Sequence, residues 1–434
     1  MRDRLTFLLV LAALALAGCA PNVSRNAKVR ERLVKNEVPS ALVELQNEDC
    51  RTVDCLLQRG HLAYLAGDYD QTQRDLEVAE WLIQDLWTVS LSREAASLVV
   101  SDNTTAYSGQ AFEKVWLNYV RALAYLDANE PWEAAVEGRA LSRKLGVMAD
   151  EVDDESGYHN DPFLQYFAGL LAEADGDLNR AWINYRHAER LYKKREIYGV
   201  SPPPSLGRSL LKAAEGLAFS EEAQSYRDQY GASSTPQSEM GEVVLLVSEG
   251  LIPGKRTLRI DFPIFESKGK ERNALVVAAY SYEHWHSPPR AVDYWVSVAL
   301  PELEASKSAP ALRWSSSVGS GQLGLGADIG FLNRKSFEDE YGKVVIRAVA
   351  RALVKFWGTK KVEEKGGQVW GIIANIVGSA TEWADTRSWA TLPEHVYIER
   401  LQLPAGEQRV QVGRASGTVN VPEGGIAFLH LRLN

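Results

Sequence analysis

Cysteine is scarce: three residues in 434, at positions 19, 50 and 55, are too few for a fold built on a disulfide framework. Long hydrophobic runs are absent after residue 18. No later stretch approaches the roughly 18 apolar residues from which a membrane-crossing helix is read, so nothing beyond that point is expected to span a bilayer. An excess of cations is missing too. Residues 19–240 hold 23 Lys+Arg against 35 Asp+Glu, a net −12, while residues 241–434 hold 23 against 21, a net +2. Phosphate backbones are bound by basic surfaces, so nucleic acid is not an expected partner. The seven histidines are scattered apart from His284 and His286, and no nucleophile–base pairing stands out. The chain is therefore read as a non-enzyme with no cofactor and no metal.

What is present begins at the amino terminus. Arg2 and Arg4 precede an apolar run from Leu5 to Ala17, which closes on Leu16-Ala17-Gly18-Cys19. A basic start, about a dozen apolar residues and small residues at the cut form the layout of a secretory signal. Leu-Ala-Gly-Cys also resembles the lipobox of bacterial lipoproteins. That resemblance implies cleavage after residue 18 and acylation of Cys19, the lipid attachment residue. Several acyl chains, at ~0.8 kcal/mol per buried CH₂, hold a protein on a membrane where one chain does not. Residues 1–18 are thus expected to be a signal peptide and residues 19–30, which are polar, a short tether.

Hydrophobic content of 45% and charged content of 24% suit a globular protein with a sizeable core. In an oxidising compartment a disulfide between Cys50 and Cys55 can persist. On one straight helix the two would lie about 7.5 Å apart along the axis, too far to bond. A bridge therefore needs a turn around Asp49–Thr52; two free buried thiols are the alternative.

Residues 31–230 read as helix after helix with an internal repeat. From Gly60, the positions 12, 16 and 19 residues on are Thr72, Leu76 and Ala79. From Ala122 they are Ala134, Gly138 and Leu141, and from Gly169 they are Ala181, Tyr185 and Ala188. Gly67-Asp68 and Gly176-Asp177 both begin seven residues after their origins. Glycine past a helix end followed by an N-capping aspartate is suited to a turn between antiparallel helices. Small residues let the paired helices approach, and a large one fills between them. The spacing resembles the tetratricopeptide repeat, which implies a stacked solenoid whose concave face holds a protein segment. A fourth pair (Leu206–Leu217, Glu221–Tyr230) is expected to cap the stack. A plain helical bundle is the alternative. The acidic run Asp150–Glu155 lacks the ligand order of a calcium loop and is read as a solvated connection.

Residues 231–240 are a linker by composition. From residue 241 to 434 the hydrophobic period turns from helical to alternating. Strands are expected at Val243–Val247, Arg256–Phe262, Ala274–Tyr280, Tyr294–Leu300, Val396–Leu403, Gln408–Val412, Gly417–Val421 and Ile426–Leu433, the last four as a meander. Helices are expected at Asn333–Trp357 and Val369–Trp383. The predicted fold class is α+β and multidomain: an N-terminal α-helical tetratricopeptide-like solenoid, then a mainly antiparallel β domain with two packed helices.

Few motifs suggest chemistry. Gly319-Ser-Gly321-Gln-Leu-Gly324 matches G-x-G-x-x-G, yet no βαβ series surrounds it, so it is read as a flexible loop. His284 and His286 would share a face on a strand but lack a third ligand. Arg347, Arg351 and Lys355 form a basic stripe on the long helix, opposite Val345, Val349, Ala352, Leu353 and Phe356. A solvated face is the plain expectation and a docking strip for acidic partners or lipid headgroups the sharper one. Seven of twelve tryptophans fall after residue 240; packing explains them, and stacking on glycan is the alternative.

The runs Arg347–Lys355, Ala384-Asp385-Thr386-Arg387-Ser388-Trp389 and Leu403–Gly406 resemble a set of uncharacterised bacterial envelope lipoproteins, which join tetratricopeptide-like repeats to such a C-terminal domain. By that resemblance Asp385 and Arg387 pair in the domain core beside Trp389; a binding site shared with the Arg347 helix is the alternative. Ala20 after the lipidated cysteine is similar to lipoproteins sorted to the outer membrane of Gram-negative bacteria. The function expected is a periplasm-facing, lipid-anchored scaffold whose repeats hold another envelope protein, one form being an activator of a cell-wall synthase. A peptidoglycan- or glycan-binding module and a hydrolase in the C-terminal domain are the alternatives.

Overall fold

A computed structural model describes residues 21–46, 50–93, 106–151, 160–231, 239–265, 292–366 and 384–433. The proposed signal peptide with Cys19, the histidines 284 and 286, the strand expected at 274–280 and the helix expected at 369–383 lie outside them.

Helices fill the first half: α1 (Pro21–Val34), α2 (Val38–Gln46), α3 (Val53–Leu65), α4 (Tyr69–Arg93), α5 (Ala111–Asp127), α6 (Pro131–Glu151), α7 (Pro162–Ala174), α8 (Leu178–Tyr192), the short α9 (Arg195–Tyr198), α10 (Pro204–Gly216) and α11 (Ser220–Tyr230). They pair consecutively as α1/α2, α3/α4, α5/α6, α7/α8 and α10/α11. Every pair is closed by the same kind of three-residue turn, whose middle residue is left-handed: Asn36, Gly67, Asn129, Gly176 and Ala218, with φ from 57° to 83°. In each turn the next N–H reaches back five residues, as in Glu37 N to Arg32 O, Asp68 N to Ala63 O and Phe219 N to Ala214 O, each 2.9 Å. This backbone closure satisfies carbonyls that a helix end would leave open. Asp68 and Asp177 then accept from Gln71 N and Arg180 N at the start of the following helices.

The small origin residues have a steric cause. A Cβ on Gly60 would lie 2.8 Å from the Leu76 side chain, and one on Gly169 would lie 2.5 Å from the Tyr185 ring. Helices can approach this closely only where one of them lacks a side chain.

The segment expected as a tether is instead helical from Pro21. Its polar residues are engaged within the molecule: Arg25 pairs with Asp54 at 3.0 Å, and Arg30 donates to Ile252 O and Ala390 O at 2.6 and 3.2 Å. Val29 and Leu33 are buried.

Strand β1 (Met240–Glu249) opens the second half. It is followed by β2 (Lys255–Phe265), β3 (Val292–Leu303), β4 (Arg313–Ser316), β5 (Gly319–Gln322), β6 (Gly324–Asp328), helix α12 (Ile329–Gly366), β7 (His395–Pro404), β8 (Gly406–Val412), β9 (Ala415–Val421) and β10 (Ile426–Leu433). The fold is α+β. A central sheet runs β10-β1-β7-β6 and a second runs β5-β4-β8-β9, while β2 and β3 form a hairpin. The last four strands are not a meander. Chain direction breaks at Pro404-Ala405-Gly406, where Gly406 has φ 97°, and β8 and β9 join the second sheet. The chain then returns, and β10 pairs parallel to β1, Leu246 opposite His430.

β1 explains the layering. Its residues 241–248 are all buried, as expected for a strand covered on both faces. Val244 and Leu246 pack with the helices; Val243, Leu245 and Val247 pack against the second sheet with Leu401, Leu403, Val410 and Val412. One core thus runs from the helical array into the central sheet across the change of secondary structure between Tyr230 and Met240.

The glycine run is strand rather than flexible loop. Gly321 lies opposite Trp314, and a Cβ there would come within 2.8 Å of the indole. On Gly324 it would meet Pro203 at 2.9 Å, and on Gly326 Phe163 at 2.7 Å. These glycines permit close approach of helices and an indole to the sheets.

Candidate interaction surface

The helices divide by position. α3, α7 and α10 face the central sheet, α5 lies beside them against α12 and Trp389, and every residue of α7 from Pro162 to Ala172 is buried. The contacts are specific. Phe167 meets Phe428 edge-on with ring centroids 6.4 Å apart, and Tyr192, at the inward-turned end of α8, donates to Gly326 O at 2.8 Å. The inner side expected to hold a partner segment is therefore covered by this chain's own sheet.

Charged and polar groups lock that contact. Arg400 on β7 binds Glu173 of α7 through two 2.8 Å hydrogen bonds, Glu242 of β1 at 2.5 Å and Ser209 of α10 at 2.7 Å. The Arg400 and Glu173 side chains are only 2% and 5% exposed. Burial alone would raise the Glu173 carboxyl, but the Arg400 guanidinium and the Lys212 ammonium hold it down at about 2.

A second lock runs Ser248–His430–Tyr64–Asp127. Ser248 Oγ lies 2.8 Å from His430 Nε2, His430 Nδ1 lies 2.7 Å from the Tyr64 hydroxyl, and Tyr64 donates to Asp127 at 2.8 Å. All members are satisfied when Ser248 donates to Nε2 and Nδ1–H donates to Tyr64. Burial, reinforced by nearby Arg432, holds His430 at about 4; burial, Arg432 and His430 hold His61 at about 3. Sequence reading missed this nucleophile–base pair because its members are 182 residues apart. Ser248 is 6% exposed and faces α3, so the pair fastens helix to sheet.

The residues singled out from sequence fall in three places. Cys50 and Cys55 are bonded, with Cα atoms 5.5 Å apart, because Cys50 precedes α3 and the chain turns before Val53. Asp385 accepts from Arg387 Nε at 2.9 Å and Nη2 at 2.7 Å, and Arg387 lies 5.3 Å over the Tyr107 ring. Trp389 is fully buried, and its backbone N–H donates to Glu113 Oε1 at 2.8 Å. Burial pushes the Glu113 carboxyl up against that bond and those from Tyr107 and Gln110. This segment therefore clasps the start of α5. Arg347 and Arg351 do not form a solvated stripe, since Arg351 is 5% exposed. The buried line of α12 is Ala348 and Ala352, lying on Val298 and Leu300 of β3, while Val349 and Ile346 are exposed. The side chain of Lys355 is outside the described residues. Of the C-terminal tryptophans with described side chains, Trp389 is buried and Trp314 packs over Gly321. Among the described residues no cluster of His, Cys, Asp and Glu could hold a metal ion, and no helix is long and apolar enough to cross a membrane.

The outer helices α4, α6, α8 and α11 present a different surface. Trp81, Trp132, Val136, Val147 and Ile183 are exposed on them. Between α6 and α8 lies an open groove of about 470 Å³, with Val136, Ile183, Arg139, Arg143, Arg180 and Asn184 in its lining. Arg139 lies 5.3 Å over the Trp132 ring. Acids below the groove are engaged inward: Glu137 takes bonds from Asn118 and Arg121, and Glu80 from Arg121 and Lys144.

No protein-family model matches the chain, and no curated protein does. Among solved structures, the crystal structure of BtubC (BKLC) from P. vanneervenii is similar over 48% of this chain and 77% of that chain, at 14% identity and a TM-score of 0.28. A likeness at that level carries no argument about fold or role.

Proposed function

We propose that this protein is a lipid-anchored scaffold of the Gram-negative cell envelope, attached to the outer membrane through Cys19, facing the periplasm, and holding another envelope protein on its helical half. Residues 31–230 are read as tetratricopeptide-like repeats. The support is the common three-residue turn and the fit of Leu76 and Tyr185 against Gly60 and Gly169.

The observation that carries the docking surface is the groove between α6 and α8, bordered by exposed Trp132 and Ile183. Since the inner helices are buried against the sheet, the partner is placed on the outer ones. An apolar patch with arginine and tryptophan at its rim has the make-up of protein contact sites. A partner of this kind includes a cell-wall synthase that the scaffold activates.

The test has two arms. Mass spectrometry of the mature chain should find acyl groups on an amino-terminal Cys19; an unmodified cysteine, or a different start, overturns the anchoring. A photo-crosslinking residue at Val136 in the full-length chain, expressed in its own cells, should capture one dominant envelope protein. Capture only from α12, for instance at Ile346, overturns the placement on α6 and α8.

A further inference from the structure

The half of the molecule that carries the groove is acidic, at −12 over residues 19–240, yet the charged side chains lining the groove are three arginines. Arg139 is held by Asp175 at 3.0 Å and Arg180 by Asp177 at 3.0 Å, both from the turn before α8. Arg143 is exposed and, among the described residues, has no hydrogen bond or ion pair. Beneath them Asn184 is 1% exposed, accepts from Ser142 at 2.8 Å, and leaves its Nδ2 donor without a partner among the described residues. Donors therefore outnumber acceptors around the exposed apolar side chains of Val136 and Ile183.

We infer that the groove takes an acidic amphipathic helix of the partner protein. This rests on the reading that the partner docks on the outer helices. Each of α6 and α8 follows its hairpin partner through a short turn, so the groove runs along two helices of like direction. A third helix can lay apolar residues spaced i, i+3, i+4 and i+7 over Val136 and Ile183. Its flanking carboxylates meet Arg143 and the outward faces of Arg139 and Arg180, where planar guanidinium groups favour paired hydrogen bonds. The acidic surroundings repel acidic segments elsewhere, so the arginines also set the register.

The experiment places a photo-crosslinking residue at Ile183 of the full-length chain in its own cells. The captured segment is mapped by mass spectrometry, and the yield is compared with that of an Arg143→Glu/Arg180→Glu variant. Expected are an acidic segment with helical apolar spacing and at least a tenfold loss of yield in the variant. Circular dichroism should show the variant folded as the parent is, since both arginines are on the surface. A basic or neutral segment, or unchanged yield in a folded variant, overturns the inference while leaving the outer-face reading standing. Capture of a second copy of this chain, or of its own residues 152–159, also overturns it. Silence at both Val136 and Ile183 with capture at Ile346 overturns the outer-face reading itself.

Discussion

Inner and outer helices of the array share turn chemistry and sequence spacing, yet they are used differently. The inner set, α3, α5, α7 and α10, carries Leu57, Trp116, Phe163, Phe167 and Leu210, all fully buried or nearly so. The outer set keeps one apolar line for its partners and leaves Trp81, Trp132 and Ile183 in solvent. A stacked array normally offers its inner side to a ligand. Here that side has become interior, because the central sheet supplies a large apolar face and the buried Arg400 cluster fastens it.

The comparison can be broken most severely at Arg400. Arg400→Met leaves Glu173 and Glu242 with only the half-exposed Lys212 as a shared cation, and losing the buried partner of such a cluster costs about 3–5 kcal/mol. Chemical denaturation should show this as a lower midpoint; a loss under 1 kcal/mol would mean that the sheet is not fastened there. The next largest effect separates two glycines. Gly169→Ala on inner α7 drives a methyl into the Tyr185 ring and should cost about 1–3 kcal/mol. Gly146→Ala on outer α6, where nothing lies within 4 Å, should stabilise by about 0.5–1 kcal/mol. Equal effects would erase the distinction.

Acid gives a third comparison. His61 and His430 have folded values of about 3 and about 4, below the ordinary 6.5. Their contribution is thus fully present above pH 6.5. It is lost as pH falls toward 4, because the unfolded chain takes protons that the folded one refuses. Each such histidine contributes up to about 1.4 kcal/mol per pH unit in that window. His430→Gln should therefore be less stable at pH 7 but lose less between pH 6.5 and 4.5, which a series of thermal melts would measure. Ile183→Ser on the outer surface should change stability by no more than about 0.5 kcal/mol while weakening partner capture. A large drop in melting temperature would place that side chain in the core instead.

Much of the helical half is legible along the chain, because a glycine and the residue that fills its place lie only 16 positions apart. The pair Gly60 and Leu76 can be found by counting. The turn is partly legible: Gly67 and Gly176 announce it, whereas Asn129 and Ala218 hold the same left-handed position without the glycine signal. The strands of Ile426–Leu433 and Val396–Leu403 are visible from alternation, but the sheet each joins is not, since pairing partners are set by contacts across the whole half. Gly324 and Gly326 mislead for the same reason, as their explanation is Pro203 and Phe163 from the helical half. Arg351 misleads because a helical period marks a face without saying which neighbour covers it. The groove residues Val136, Arg139 and Ile183 carry no sequence signal beyond ordinary surface composition.

Sequence alone determined the helical hairpins, the helix-to-strand change near residue 231 and the strand Val243–Val247, though not that both of its faces are covered. It also showed that Cys50 and Cys55 need a turn to meet. All of these depend on neighbours within a few turns or one strand. Only the tertiary structure decided that the sheet fills the inner side of the array, that Arg400 joins Glu173 to Glu242, and that the exposed groove lies between α6 and α8. The first two depend on groups that meet across 150 residues or more, and the groove on how successive helical hairpins stack. Local periodicity records that a face is apolar, while the element that buries it is selected by shape and charge in three dimensions.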